Sequence, residues 1–120
     1  MSDRTGLDVR RDEDRPVTFQ RFSARFPGLT EAHAALGAAT DDAGPLGARE
    51  RELVKIGLCV GAGLESATKS HVRRGLEAGL TPEEIEHAVV QAVGTLGFSP
   101  TVRAWVWATE QIAAEDRRDG

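Results

Sequence analysis

The stretch Thr81-Pro82-Glu83-Glu84 constrains this chain more tightly than any other. A threonine that accepts from the third helical N–H, a proline at the first helical position and a glutamate that reaches back to the cap together specify a helix start. Downstream, Ile85, Ala88, Val89, Ala92, Val93 and Leu96 follow at steps of three and four, which predicts a helix running to Gly97. Ser99-Pro100 repeats the start signal. The last helix then carries Val102, Trp105, Val106, Thr109, Ile112 and Ala113 on one apolar stripe, with Trp107 off it and Glu115 to Gly120 as a frayed end.

The punctuation upstream is also helical. Pro16 opens a short helix through Phe19, Phe22 and Phe26 that Pro27-Gly28 closes, and Thr30 is the expected N-cap of a helix reaching about Ala43. Gly44-Pro45 ends it. From Ala48 to Gly61 the residues Leu53, Val54, Ile56, Leu58, Cys59 and Val60 are apolar on more than one face, which predicts a helix enclosed on most sides. Gly57 and Gly61, four apart, suit the close approach of another backbone. A break at Gly61-Ala62-Gly63 leads into a helix from about Glu65 to Ala78, with Gly79 where a left-handed cap is common. No segment reads as a strand, so the expected class is all-α. Gly79-Leu80-Thr81-Pro82 and Gly97-Phe98-Ser99-Pro100 share a form that two similar helix connections explain without a repeat architecture.

Of the 120 residues, 40% are hydrophobic and 28% charged, which is the composition of a globular chain with one modest core. Met1 to Arg15 hold nine charged residues of both signs, and this segment is expected to be a flexible arm preceding a domain over 16–116. The net charge of −4 argues against nucleic acid or an anionic membrane as partner. One cysteine, Cys59, excludes an internal disulfide, and with no bilayer-length apolar run or signal segment the expected location is the cytoplasm.

Catalytic candidates are few. His33, His71 and His87 have no metal-ligand spacing, and no glycine-rich loop follows a strand, so neither a metal nor a nucleotide cofactor is expected. His71 stands out because i±3 and i±4 steps align it with Leu64, Ala67, Thr68, Gly75 and Ala78, a small-residue surface, while Lys69, Arg73 and Glu77 form a polar face. An imidazole so placed serves as general acid or base near neutral pH. Glu52, at the head of the most apolar helix, is the second candidate, its structural alternative being an ion pair with Arg49 or Arg74. Glu65, Thr68, Lys69 and Arg74 are candidate substrate-binding residues, the two cations as anchors for a substrate carboxylate. A straight antiparallel helix pair would leave Glu52 and His71 about 9 Å apart in height, so contact between them does not follow from spacing. Gly57, Gly61 and the off-stripe Trp107 point to a homo-oligomer.

Three stretches, Arg51-Glu52-Leu53-Val54-Lys55-Ile56, the run from Ser70 to Ile85 with its H-x-x-x-G-L-x-x-G-x-T-x-x-E-I pattern, and Gly97-Phe98-Ser99-Pro100, resemble the carboxymuconolactone decarboxylase family, which includes the alkylhydroperoxidase D group. The resemblance covers about residues 28 to 113. It implies a small helical domain of about five to six helices that assembles into trimers or hexamers. The peroxidase branch uses a glutamate, a CxxC pair and a histidine nineteen residues after the glutamate. Glu52 and His71 match the ends of that relay, but Leu64 and Ala67 stand where the cysteines would be, and without a thiolate and a resolving thiol the peroxidase chemistry is lost. The cysteine-lacking decarboxylase branch keeps the histidine. It implies a lyase that expels CO₂ from a small anionic lactone or keto acid of aromatic catabolism, with His71 as proton donor and Glu52 tuning it. That branch often has an acidic residue four before the histidine, where this chain has Ala67, and Glu65 lies two further back. The alternative is a non-catalytic oligomer or a ligand-binding protein on the same scaffold.

Overall fold

The structure, a computed structural model, describes residues 17–119, and the charged arm read from the sequence lies outside them. Every regular element among the described residues is a helix. The chain divides into two compact units, Met1–Pro45 and Leu46–Gly120.

The first unit holds α1 (Val17–Arg25) and α2 (Pro27–Asp41). The Phe22 and Phe26 rings stack at a tilt with centroids 5.2 Å apart, and the Arg25 guanidinium lies 4.8 Å from the Phe26 ring centre. The expected N-cap at Thr30 is corrected: the cap lies four residues earlier, at Phe26, with Pro27 in the first turn of α2. Proline loses nothing there, since its missing N–H would have no helical partner. Thr30 sits inside the helix, its hydroxyl 3.3 Å from Ser23 Oγ.

The second unit begins with an α-hairpin of α3 (Ala48–Ala62) and α4 (Glu65–Glu77). Gly63 makes the turn at φ +71°, a left-handed conformation that a side chain would strain, and Leu64 N–H donates to the Cys59 carbonyl. α4 ends in the same way. Gly79 adopts φ +98°, and Leu80 N–H returns to the Gly75 carbonyl at 2.9 Å. That return folds Leu80 against α4, where a Cβ on Gly75 would stand 2.8 Å from Leu80 Cδ1. Glycine at position 75 thus lets Leu80 pack directly on α4, and a larger residue there would have to displace the end of the Leu80 side chain.

The capping box forms as expected at the head of α5 (Pro82–Val90), with Glu84 N–H donating to Thr81 Oγ1 at 3.0 Å and Thr81 N–H to Glu84 Oε1 at 2.9 Å. Arg49 braces this corner from α3, donating to the Gly79 carbonyl at 2.6 Å and pairing with Glu84 at 2.7 Å. The predicted continuous helix to Gly97 instead breaks after Val90. Ala92 N–H bonds to the Val89 carbonyl, a three-residue closure that tightens the chain, and α6 (Val93–Leu96) is a single turn. The final α7 (Phe98–Asp119) continues from Glu115 to Asp119, where the sequence predicts fraying. Gln111 and Arg118 both bond Glu115 at helical spacing, and Arg117 and Arg118 oppose the negative end of the dipole.

The core comprises Ile56, Val60, Val72, Leu80, Ile85, Val89, Ala104 and Ala108. Two expectations about its faces are overturned. On α7 the inward face is Thr101, Ala104 and Ala108, small residues that let α7 lie close, whereas Val102, Trp105 and Val106 of the predicted stripe face outward. Trp107, read as exposed, packs partly on the core with Arg103 over its ring. On α3, Val54 and Leu58 are exposed and nothing approaches the Cβ positions of Gly57 and Gly61, so the helix is not enclosed on most sides within one chain.

Candidate functional site

Glu52 projects from the second turn of α3 and His71 from the middle of α4, and the hairpin brings them into direct contact: His71 Nδ1 lies 2.8 Å from Glu52 Oε1. The pair lies within one chain and leaves no room for a bridging water, so the height difference of a straight antiparallel pair is closed. Both side chains are largely buried, at 18% and 13% exposure. A carboxylate only accepts, so Nδ1 carries the proton in this contact and Nε2 is the nitrogen left for an outside group. Glu52 thereby fixes both the tautomer and the plane of the ring.

Cys59 joins this seam. It lies seven residues after Glu52 on the same face of α3, and its thiol is held above the usual range, by burial first and then by the Glu52 charge. Cys59 falls on neither of the relay's thiol positions, which Leu64 and Ala67 occupy. The i, i+7 spacing puts it on the face of α3 that carries Glu52, two turns or about 10 Å further along.

The remaining candidates separate. Lys69 faces α7, pairing with Glu110 at 3.0 Å and Glu65 at 3.4 Å. Those contacts, the hydrogen bond to Glu110 foremost, raise its pKa. Lys69 and Glu65 are thus bonded to each other rather than to His71. Thr68 is fully buried one turn before His71, and its hydroxyl has no hydrogen-bond partner. Arg74, one turn after His71, is half-buried. Arg49, the sequence-based structural partner for Glu52, is taken by Gly79 and Glu84.

A groove of about 700 Å³ opens elsewhere in the second unit. Leu76, Pro82, Ile112 and Ala113 supply its apolar lining and Glu77, Glu86, Glu115, Asp116, Asp119, Arg73 and Arg118 its charges, whereas His71 and Glu52 do not line it. Among the described residues no group of histidine, cysteine and carboxylate side chains could hold a metal ion, and no helix is long and apolar enough to cross a membrane.

No match was found among curated proteins or among solved structures. A family model does match, over residues 27–110, a span that contains Glu52, His71 and the capped corner between α4 and α5. On that match the chain belongs to the carboxymuconolactone decarboxylase family.

Proposed function

We propose that this protein is a lyase of the decarboxylase type, acting on a small carboxylated lactone or keto acid by proton transfer from His71. The observation that carries the reading is the 2.8 Å contact between His71 Nδ1 and Glu52. An imidazole held by one nitrogen and open at the other is the arrangement that general acid catalysis needs. In the reaction the bond from the substrate α-carbon to its carboxylate breaks, CO₂ leaves, and the electron pair stays on carbon, delocalised into the adjacent carbonyl. His71 in its imidazolium form donates the Nε2 proton to that carbon, and water restores it. Glu52 holds the ring in place through Nδ1 during the transfer. In this reading Arg74, one helical turn from His71, takes the substrate carboxylate, a role that guanidinium geometry suits through bidentate pairing. Peroxide reduction is disfavoured because Leu64 and Ala67 stand where the two thiols would be.

The working unit is a homo-oligomer, a trimer or hexamer as the family resemblance implies, located in the cytoplasm. Support comes from the exposed apolar residues of α3 and α7, including Leu58 and Phe98. A second reading, a ligand-binding scaffold without turnover, is favoured by one observation, the groove that neither His71 nor Glu52 lines.

The experiment is a thermal-shift screen with small lactone and keto acids, followed by CO₂ release from whatever stabilises the protein. His71→Gln should fold and assemble yet lose turnover by about 10²–10⁴. Stabilisation by a ligand with no CO₂ release, unchanged in His71→Gln, selects the second reading.

A further inference from the structure

The outward face of α7 is apolar for most of its length. Phe98, Val102, Trp105 and Val106 are exposed by 72%, 42%, 40% and 39%, and Thr109 and Ala113 continue the same side without a charge. The span from Phe98 to Ala113 is about 22 Å of helix at 1.5 Å per residue. Trp105 has its polar atom already satisfied, the indole N–H donating to Glu86 at 2.8 Å, so the rest of the ring is free to contribute apolar area.

We propose that this face packs antiparallel against the same face of a second copy of the chain about a two-fold axis crossing near Trp105 and Val106. The face is self-complementary in that register. Trp105 meets the partner's Val106, Val102 meets the partner's Thr109, and Phe98 meets the partner's Ala113, so each large side chain lies against a smaller one and both ends are filled. The charges on the flank agree. Arg103, held over the Trp107 ring, falls within about two residues, or about 3 Å of rise, of the partner's Glu110, and the two-fold supplies the pair twice. Arg103 and Glu110 share one flank of α7, so a parallel two-fold would carry the partner's copies to the opposite side of the seam and form no such pair, which selects the antiparallel arrangement. Glu110 remains 57% exposed beside Lys69 and is free to accept a second cation.

The inference rests on the homo-oligomer reading and adds the face and the symmetry. The test uses the full chain with Cys59→Ala as background. Val106→Cys should form a disulfide-linked dimer on mild oxidation, because positions at the axis come within the 4.4–6.8 Å Cα separation that a disulfide spans. Phe98→Cys should not link to itself, lying about 22 Å from its own copy along the axis, but should link to Ala113→Cys when the two are mixed. Sedimentation of the background variant gives the assembly size independently. An oligomer in which Val106→Cys stays unlinked, or Phe98→Cys links to itself, overturns the proposed face and leaves the oligomer reading standing. A monomer by sedimentation overturns both.

Discussion

Glu52 and His71, nineteen residues apart, meet at 2.8 Å across the α3–α4 hairpin with both side chains largely withdrawn from water. A withdrawn carboxylate requires a donor and a withdrawn imidazole N–H requires an acceptor, so each supplies what burial denies the other.

Glu52→Ala should therefore destabilise the protein by about 1–3 kcal/mol, because it leaves the Nδ1 proton largely buried and without an acceptor. Glu52→Gln, which can still accept through its amide oxygen, should cost clearly less. Urea unfolding of the two variants checks the order, with the midpoint moving and the slope unchanged.

Thr68→Val should be neutral or stabilising by up to about 1–3 kcal/mol. The hydroxyl at position 68 is fully buried with no partner, so a methyl of the same shape removes a desolvation cost and no bond. Thermal or urea unfolding reads the stability. If the hydroxyl does bind substrate, the same variant will lose ligand affinity while gaining stability, and calorimetric titration separates the two effects.

The corner at Gly79 to Glu84 predicts an acid limb. The Arg49 hydrogen bond, and then the Thr81 N–H, hold the Glu84 carboxyl below its ordinary value of 4.5. A lowered carboxyl contributes stability that is present above the unfolded value and is lost as pH falls through the folded one. Melting temperature should thus drop as pH goes below about 4.5, and Glu84→Gln should flatten that limb while lowering stability at pH 7. Thr81→Ala, which removes the cap from the other side, should cost about 1 kcal/mol at neutral pH.

Local chemistry made much of this legible in the sequence. The capping box, the break at Gly61-Ala62-Gly63, the glycine cap at 79 and the helical spacing of Ile85 and Val89 depend on a few adjacent residues, and the structure has them where those residues put them. What depended on partners distant in sequence was not legible. Periodicity marks an apolar stripe but not which side the core lies on, so Val102, Trp105 and Val106 looked like an inner face although the smaller Ala104 and Ala108 permit the closer approach. The same limit hid Glu110 as the partner of Lys69, and Gly79 and Glu84 as the partners of Arg49. At the candidate site the register of His71 and Glu52 was readable, but their contact depended on how two helices cross.

Cys59 gives the last prediction. Burial, and next the nearby Glu52 charge, raise its thiol above the ordinary value of 9.0. A group raised on folding adds stability that is fully present below the unfolded value and is lost as pH rises through the folded one. Native protein should react slowly with iodoacetamide at pH 8, because the thiolate is the nucleophile and burial suppresses it, and the reaction should accelerate on unfolding in urea. Melting temperature should fall above pH 9, and Cys59→Ala should remove that thiol's share of the fall while leaving the neutral-pH fold intact. A thiol so suppressed, with no second cysteine in the chain, cannot sustain peroxide reduction by thiolate attack and disulfide resolution. The protein should accordingly show no thiol-dependent turnover of an alkyl hydroperoxide. Turnover that disappears in Cys59→Ser would place this chain among the peroxidases and remove the grounds for a proton-transfer role at His71.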